Sequence, residues 1–275
     1  MAPAGSDPAF DRILQILLDR RGLDFNEYRR SFLERRMESR LHALNLKDFA
    51  SYEKIVDQSP EELTELFDTL TINVAEFFRD PQIWDYLIPE VFTPLVKRGK
   101  PIRIWSAGCA SGEEPYTIAM CFHEIIHRSI PHRASLKITA TDVDPLALAK
   151  ARSGIYVVNS LRQVTPQRLR IFFTRARSKG EGFFEVVPEI RNMVQFSEHS
   201  YLQPSAAVDR ADIVFCRNSM IYLKNDSKLK AVANFHRVLA QGGYLILGVT
   251  EVLIGETHYT HFRTIPEHPG IFQKL

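Results

Sequence analysis

The stretch that most constrains the fold is residues 102–116, Ile-Arg-Ile-Trp-Ser-Ala-Gly-Cys-Ala-Ser-Gly-Glu-Glu-Pro-Tyr. Its apolar start predicts a buried β strand and its end predicts a helix. The turn between them holds small residues with the spacing Gly108-x-Ala110-x-Gly112. In α/β sheets such a junction lies at the carboxyl end of a strand, where a nucleotide-like ligand approaches the backbone closely. A plain strand-to-helix connection would show the same pattern, so the motif alone leaves both interpretations open.

The residues that follow this turn are acidic. No lysine stands where a phosphate-binding loop would carry one, and Glu113 and Glu114 begin the predicted helix instead. Two carboxylates would repel a pyrophosphate, but they suit a ligand with a cationic group. The ammonium and sulfonium of S-adenosylmethionine are such groups, and this cofactor is therefore a candidate.

From residue 101 onward, strand and helix patterns alternate, which is typical of a doubly wound parallel sheet. Short strands at 183–187 and 193–196 interrupt the alternation, and 261–264 with 270–273 predict a terminal antiparallel hairpin. The predicted strands of the main sheet are 102–106, 137–142, 211–216 and 243–248, and the predicted helices are 115–128, 145–152, 166–173 and 226–240.

Before residue 100 the sequence shows helical periodicity only. One helix runs to Gly22, and others are predicted at 26–44, at 47–57, from Ser59-Pro60 onward and at 81–98. The predicted organisation is therefore a helical domain of residues 1–80, a linker helix at 81–100 and an α/β domain of residues 101–275. A β-subdomain is predicted at about 175–198 within the α/β domain.

Composition excludes several classes of function. The 275 residues carry a formal net charge of +2, so no overall positive field favours nucleic acid as a partner. We find no signal-peptide pattern and no apolar run near the ~20 residues of a membrane span. The cysteines Cys109, Cys121 and Cys216 lie in apolar contexts. We therefore expect a cytoplasmic protein with free thiols and no membrane insertion.

Polar residues end two of the predicted strands. Asp142 ends the strand 137–142, where a carboxylate accepts hydrogen bonds from a ribose or caps the next helix. Asp144, directly before Pro145, fits the cap better, which leaves Asp142 for the ribose. Arg217 and Asn218 follow the strand 211–216 and would face the same crevice, although both residues also suit an ordinary polar loop.

Two segments of the first hundred residues have both a structural and a functional interpretation. The helix 26–44 carries a stripe of arginines, which is commonly a solvated face but also suits an acidic macromolecular partner. The segment 73–80, Asn-Val-Ala-Glu-Phe-Phe-Arg-Asp, is either the end of a core helix or a segment folded over the cofactor. The arginines of the stripe are Arg29, Arg35, Arg36 and Arg40, together with Arg30.

A metal site is not expected. His123-Glu-Ile-Ile-His127 matches the short zinc-protease pattern, in which both histidines share one helix face. The extended pattern would need glycine at 130 and histidine at 133, where the chain has Ile130 and Arg133. We therefore assign these histidines to the solvent side of a helix that packs on the sheet.

The motifs together resemble one family, the CheR chemoreceptor methyltransferases. The resemblance runs from about residue 10 to the end of the chain in the same order. Its most specific blocks are Gly-Glu-Glu-Pro-Tyr at 112–116 and Cys-Arg-Asn at 216–218. The full set of resembling blocks is 73–80, 105–117, 141–144, 151–156, 215–222 and 242–251.

The resemblance implies an α/β fold: a Rossmann-like S-adenosylmethionine-dependent methyltransferase domain with a small inserted antiparallel β-subdomain, preceded by an all-α N-terminal domain. This chain departs from the family pattern at Ala75, where threonine is usual, and at Ser200-Tyr201, where asparagine and leucine are usual. The lost threonine hydroxyl removes a hydrogen bond of ~1 kcal/mol. The cofactor-binding residues implied or expected are Asn73, Ala75, Arg79, Gly108, Glu114, Asp142, Ser200, Tyr201, Arg217 and Asn218.

The resemblance also implies the reaction, methyl transfer to glutamates on a chemoreceptor's cytoplasmic helical bundle, with S-adenosylhomocysteine as product. A glutamate of pKa ~4.3 is already ionised and needs no general base, so positioning carries most of the rate. We expect Arg79 to orient this carboxylate, Tyr222 to form a second wall, and the stripe of Arg29, Arg35, Arg36 and Arg40 to bind the acidic bundle. We expect a monomer that uses no metal.

Two alternatives to a chemotaxis enzyme remain open at this point. One is the same chemistry on an acidic protein of a non-chemotaxis signalling array. The other is a regulatory module that binds S-adenosylmethionine or S-adenosylhomocysteine without turnover, an interpretation prompted by Ala75 and Ser200.

Overall fold

A computed structural model describes residues 7–71, 75–128, 135–176, 179–203, 207–255 and 260–275 of the chain. The chain forms two compact units. The first comprises Met1–Asn73 with Tyr222–Ser227, and the second comprises Val74–Ile221 with Lys228–Leu275. The division thus falls ahead of the predicted boundary at residue 80, and the segment predicted as a linker helix belongs to the second unit.

The first unit is helical. Two helix boundaries lie where the sequence predicts them: Ser59 accepts a hydrogen bond as an N-cap, and Gly22 ends the first helix at φ 70°. Asp7 is the N-cap of the first helix. The second helix begins at Arg30 rather than at residue 26, because Asp24 instead caps a short 3-10 turn at Phe25–Glu27. The α-helices among its described residues are α1 (Pro8–Arg21), α2 (Arg30–Ala43), α3 (Phe49–Gln58) and α4 (Pro60–Leu70).

A short segment from far along the chain completes this unit. The backbone N–H of Arg29 donates to the Tyr222 carbonyl at 2.9 Å, and the N–H of Lys224 donates to the Glu27 carbonyl at 3.0 Å. The rings of Phe32 and Tyr222 lie 4.6 Å apart. Tyr222 therefore packs with the helical unit through both its backbone and its ring.

The second unit is built on a seven-stranded sheet of order β6-β2-β1-β7-β8-β10-β9. The first five strands in that order are parallel neighbours, and β10 and β9 add the predicted antiparallel hairpin. The strands of this sheet are β1 (Ile102–Ala107), β2 (Leu136–Asp142), β6 (Val194–Glu198), β7 (Ala211–Cys216), β8 (Leu239–Leu247), β9 (Phe262–Thr264) and β10 (Ile271–Lys274).

The alternating pattern correctly predicts the helices Glu113–Arg128, Pro145–Ser153, Pro166–Phe172 and Asn225–Val238, but it does not predict the short helix Pro188–Arg191. Between Pro81 and Lys97 the helical run contains a π-helical stretch, Leu87–Phe92. Ile118, Cys121, Phe122 and Ile125 are buried, which agrees with the expectation that the helix carrying His123 and His127 packs on the sheet. The helices are α5 (Pro81–Tyr86), α6 (Thr93–Lys97), α7 (Glu113–Arg128), α8 (Pro145–Ser153), α9 (Pro166–Phe172), α10 (Pro188–Arg191) and α11 (Asn225–Val238).

A separate antiparallel sheet confirms the small β-subdomain but corrects its extent. It is formed by β3 (Ile155–Val157), β4 (Phe173–Arg175) and β5 (Phe183–Val186) in the order β3-β5-β4. The strand 193–196, predicted to belong to it, instead corresponds to β6 (Val194–Glu198), which pairs in parallel with β2. Short apolar runs of this kind fit either sheet, so local pattern could not assign the strand.

Core packing fixes the segment that precedes α5. Phe77 is fully buried, and its ring makes edge contacts with Tyr156 and Phe173 at 4.8 and 5.1 Å. Its N–H donates to the Ser160 carbonyl at 3.1 Å. The predicted aromatic pair at 77 and 78 is thus a core plug of the α/β unit.

The three cysteines are buried free thiols, as predicted. Among the described residues, no helix is both long and apolar enough to cross a membrane.

Candidate cofactor site

The turn after β1 is held tightly against the end of β2. The N–H groups of Gly108 and Cys109 both donate to the Thr141 carbonyl, at 2.8 and 2.9 Å. Gly108 has φ 74°, and a Cβ there would lie 3.0 Å from the Ser219 Oγ. Glycine is needed at this position for its backbone angle and for space.

Asp142 fixes the same turn from the neighbouring strand. Its Oδ2 accepts from the Ala110 N–H at 2.7 Å, and its Oδ1 accepts from the Asp144 N–H at 3.0 Å. Asp144 caps α8 by accepting from two backbone N–H groups, as the sequence predicts. A carboxylate has about four lone-pair sites, so Asp142 can still accept hydrogen bonds from a ribose. Burial raises the pKa of Asp142, although the backbone donors oppose this.

The two glutamates at the start of α7 have different environments. Glu113 is 1% exposed and accepts from the Ser111 hydroxyl at 2.7 Å. Glu114 is 16% exposed, accepts from the Ser106 hydroxyl at 2.8 Å and lies 3.6 Å from Arg217 Nη1. Burial raises the pKa of both carboxyls. Glu113 is therefore part of the α7 start, and Glu114 is the glutamate that meets the cation at the end of β7.

Arg217 connects the end of β7 to the segment before α5. Its side chain is 3% exposed, and Nη2 donates to the Arg79 carbonyl at 2.9 Å and to Asp80 Oδ2 at 2.7 Å. Its Nε is buried and has no partner among the described residues. Arg217 therefore holds the backbone that carries Arg79 and keeps one N–H for a ligand.

Asn218 is the most unusual residue of the site. It has φ 58°, a left-handed conformation that costs energy for a non-glycine residue. Its Oδ1 is a buried acceptor without a partner among the described residues. Positive φ is also found at Phe78 and Asp80, before α5, and at Ala110, in the turn after β1, with values of 55°, 55° and 46°. Strained backbone of this kind clusters at functional sites.

The residues that depart from the family pattern have local roles. The Tyr201 hydroxyl shares a 2.7 Å hydrogen bond with the Ser219 Oγ, and the residue is 8% exposed. A Cβ on Gly108 would lie 3.4 Å from Tyr201 Cε1, so this ring lies beside the turn. Ser200 Oγ accepts from the Leu202 N–H at 3.3 Å. Ala75 is half-buried and its side chain has no polar atom.

The structure thus brings together most of the residues predicted to bind the cofactor. The register that places Ser106 beside Ala140 and Phe215 puts the carboxyl ends of β2, β1 and β7 next to one another. Asn73 lies outside the described residues, and Tyr222 belongs to the helical unit. The predicted residues gathered in the α/β unit along this edge are Gly108, Glu114, Asp142, Tyr201, Arg217 and Asn218, with Arg79 adjoining.

Sequence reasoning missed three residues of this edge. Ser106 orients Glu114, Asp80 pairs with Arg217, and the Glu251 carboxylate accepts from the N–H groups of Asn218, Ile221 and Gly248. The sequence contains a weak indication of a role for Glu251, since this acidic residue of Gly-Val-Thr-Glu follows a predicted strand. Ser106 and Asp80 lie in the resembling blocks 105–117 and 73–80, but local pattern did not reveal their roles, and the partner of Asp80 is 137 residues away in the chain.

These groups fit S-adenosylmethionine. The buried guanidinium of Arg217 pairs with the carboxylates of Asp80 and Glu114. Two more carboxylates lie at the carboxyl ends of neighbouring strands, since Asp142 ends β2 and Glu251 follows β8. An acidic edge favours a ligand with ammonium and sulfonium groups. The unpartnered acceptor of Asn218 and the unpartnered donor of Arg217 are the groups that a ligand with an ammonium and a carboxylate would satisfy.

The predicted receptor-binding arginines of the helical unit differ in their partners. Arg40 makes a bidentate pair with Glu62 at 2.9 and 2.6 Å, so Glu62 largely neutralises its charge. Arg36 Nε donates to the Thr69 carbonyl at 2.7 Å, and Arg29 Nε donates to the Leu223 carbonyl at 3.2 Å. Arg35 is exposed and has no ion pair within the described part of the chain. Within the described residues, Arg29, Arg35 and Arg36 therefore have no acidic partner.

Comparison with known proteins shows two matching domain models and several similar proteins. The SAM-binding domain model of CheR methyltransferases matches residues 73–269, and the all-alpha domain model of CheR methyltransferases matches residues 8–71. The chain is 33% identical to the chemotaxis protein methyltransferase of Salmonella typhimurium over 90% of this chain and 84% of that one. It is 33% identical to the Escherichia coli chemotaxis protein methyltransferase over 90% of this chain and 85% of that one.

A third relative is much longer than this chain. The chain is 34% identical to an uncharacterized 104.1 kDa protein of Rhodobacter capsulatus, over 91% of this chain but 26% of that protein. With both domain models matched in order and the acidic edge assembled as described, the chain belongs to the CheR methyltransferase family and has its S-adenosylmethionine-binding domain.

Proposed function

We propose that this protein transfers a methyl group from S-adenosylmethionine to glutamate side chains of a chemoreceptor's cytoplasmic helical domain, giving glutamate methyl esters. The observation that carries the proposal is the network of Glu114, Arg217 and Asp80 beside Asp142, at the carboxyl ends of β1, β7 and β2. The names of the relatives from Salmonella typhimurium and Escherichia coli support a role in chemotaxis. Because the proposed substrate is the cytoplasmic domain of a receptor, we propose that the protein acts in the cytoplasm.

The cofactor supplies a methyl group on a sulfonium, and the chain's residues hold it. Asp142 has free lone pairs for a ribose diol, as in dinucleotide-binding folds. Asn218 Oδ1 is an acceptor for an ammonium, and the Arg217 Nε is a donor for a carboxylate. Tyr201 forms a wall beside Gly108.

The acceptor glutamate needs orientation rather than deprotonation. Its carboxylate is ionised at neutral pH, and good alignment of reacting groups contributes up to ~7–11 kcal/mol to a rate. Arg79 is suited to hold it, because Arg217 and Trp84 both donate to the Arg79 carbonyl and so fix the backbone that carries this side chain.

Receptor binding is assigned to the arginines of the helical unit that lack an acidic partner. Arg12, Arg20 and Arg30 pair with carboxylates at 2.5–2.7 Å. Arg29, Arg35 and Arg36 have no such pair among the described residues, so their charge remains available to an acidic surface. Arg40 is already held by Glu62, so the assignment depends on Arg29, Arg35 and Arg36.

The first experiment is calorimetric titration of the protein with S-adenosylhomocysteine. One-site micromolar binding supports the cofactor site despite Ala75 and Ser200. Absence of binding would overturn the enzyme interpretation.

The second experiment tests the acceptor. The protein is incubated with methyl-labelled S-adenosylmethionine and a receptor cytoplasmic fragment, and the label is then exposed to alkali. Alkali-labile label on glutamates supports the proposal, because methyl esters hydrolyse in base. Cofactor binding without label transfer would instead indicate a regulatory module, and label on another acidic protein would indicate a different signalling array.

A further inference from the structure

Glu251 is a buried carboxylate at the cofactor edge. It ends the resembling block 242–251, but the sequence assigns it no role. It lies four residues after the end of β8 and is 5% exposed. Its Oε2 accepts from the N–H groups of Asn218 at 2.6 Å and Gly248 at 2.7 Å, and its Oε1 accepts from the Ile221 N–H at 3.1 Å. Backbone donors thus solvate this charge, since it has no ion pair among the described residues.

These contacts join two loops. Gly248 and Glu251 follow β8, whereas Asn218 and Ile221 follow β7. A Cβ on Gly248 would lie 2.7 Å from Asn218 Nδ2 and 2.8 Å from Glu251 Oε2. The Asn218 side chain therefore lies directly over Gly248, and the carboxylate fixes both ends of the loop 218–221.

The loop needs such a clamp because Asn218 has φ 58°. A left-handed residue persists where its surroundings determine its conformation. The short hydrogen bond from its own N–H to a carboxylate is charge-assisted and is of the strong kind. With the backbone fixed, the side chain keeps Oδ1 buried and unpartnered.

We infer that Glu251 is a positioning residue of the cofactor site, which holds Asn218 so that Oδ1 accepts a hydrogen bond from the cofactor's ammonium group. This inference rests on the proposed function. Along the edge, Asp142 of β2 is placed for the ribose, and β7 lies on the other side of β1. Asn218, after β7, therefore meets the amino-acid end of the cofactor.

The test compares S-adenosylhomocysteine affinity in Glu251→Gln and wild type by calorimetry. The amide keeps the size of the side chain but replaces one acceptor oxygen with a donor that opposes a backbone N–H. We expect the Kd to rise at least roughly tenfold, as for a lost hydrogen bond to a charged group. In turnover assays the KM for S-adenosylmethionine should rise by more than kcat falls.

A double-mutant cycle separates positioning from simple destabilisation. If Glu251 acts through Asn218, the pair Glu251→Gln/Asn218→Ala should bind no more than about twofold weaker than Asn218→Ala alone, because contacting residues are non-additive. Fully additive losses in Kd would overturn the inference. So would a Glu251→Gln protein with a lower melting temperature and an unchanged Kd.

Asp212→Asn is the matched control. This carboxylate also accepts from a strand backbone, the Arg103 N–H at 2.9 Å, but it lies at the start of β7 instead of its end. The Kd of the Asp212→Asn protein for S-adenosylhomocysteine should equal that of wild type. If Glu251→Gln does not fold, Glu251→Asp is used; its shorter side chain cannot reach both Asn218 and Ile221, and wild-type affinity would overturn the inference. Failure of the wild type itself to bind would instead overturn the proposed function.

Discussion

Two arginines of this protein, one in each unit, form similar ion-pair networks with different outcomes. Arg40 of the helical unit pairs with Glu62, which also accepts from the Tyr52 hydroxyl at 2.7 Å. Arg217 of the α/β unit pairs with Asp80 and Glu114. The side chains of Arg40 and Arg217 are 18% and 3% exposed.

The two networks differ in completeness. No buried side-chain atom of Arg40, Glu62 or Tyr52 lacks a partner, whereas the Arg217 Nε and the neighbouring Asn218 Oδ1 do, in the part of the chain that the structure describes. Burial and the Glu62 carboxylate raise the pKa of Tyr52, which keeps its hydroxyl a donor. A network in which every buried polar atom has a partner stabilises the packing of helices. A network at a strand end that leaves buried polar atoms without partners can bind a ligand.

The largest expected effect follows from Arg217→Met. Removing the cation leaves Glu114 and Asp80 unpaired, so the free energy of unfolding should fall by ~3–5 kcal/mol. S-adenosylhomocysteine affinity should fall by at least roughly a hundredfold, or about 3 kcal/mol. Denaturant unfolding and calorimetry measure the two effects.

Arg40→Met is its counterpart in the helical unit. It should also lower stability, by up to ~3 kcal/mol because the pair is partly exposed, but it should leave the Kd for S-adenosylhomocysteine within about twofold of wild type. Equal losses of affinity in the two variants would remove the distinction between the networks.

Arg79→Ala tests whether the residue next to the Arg217 network acts on the acceptor or on the cofactor. We expect the methylation rate to fall by at least roughly a hundredfold, from lost positioning, with a much smaller change in S-adenosylhomocysteine affinity. The methylation rate is measured with a receptor fragment, and the S-adenosylhomocysteine affinity is measured by calorimetry. Parallel losses would make Arg79 a cofactor ligand alone.

The pH dependence of cofactor binding tests the incomplete network further. Burial raises the pKa of Asp142 and of Glu114. Binding uses the ionised carboxylates, so S-adenosylhomocysteine affinity should fall as pH drops through these raised pKa values, above the ~3.9–4.3 of free acids. The free energy of unfolding should instead rise as pH drops, since the folded state takes up these protons more readily than the unfolded chain.

Asp142→Asn should weaken S-adenosylhomocysteine binding about tenfold near pH 7. It should also shift the pH at which the remaining affinity is lost in acid, because one titrating group is gone. Calorimetric titrations across pH give both quantities. A pH profile that coincides with that of wild type would exclude Asp142 from the ligand's contacts.

The smallest effect is expected on the exposed face. Reversal of charge in Arg35→Glu/Arg36→Glu should slow receptor methylation at low salt by a few-fold, as exposed pairs contribute ~0.2–1 kcal/mol each, and the difference should shrink at high salt. The matched control is Lys47→Glu/Lys54→Glu, exposed residues of the same unit with the same change in charge. If both pairs respond alike, net charge and not the arginine stripe explains the effect.

Local pattern was sufficient for most elements and insufficient where partners are distant. Asp144 was identified as the cap of α8 because capping involves neighbours in the chain. The strand 194–198 was assigned to the wrong sheet because its apolar run does not reveal its partner β2. The segment 222–227 lies in the middle of an α/β pattern, yet it packs with Arg29 and Phe32 of the helical unit.

The sequence by itself determined the two-part organisation, the α/β alternation, the small-residue turn at 108–112 and the family to which the chain belongs. Those features depend on periodicity and on contiguous motifs. The tertiary structure alone decided that Arg40 is held by Glu62, that Arg217 holds the backbone of Arg79, and that Glu251 clamps the loop of Asn218. The reason is physical: a buried charge is defined by the partners that surround it, and here those partners lie from 22 to 138 residues away in the chain.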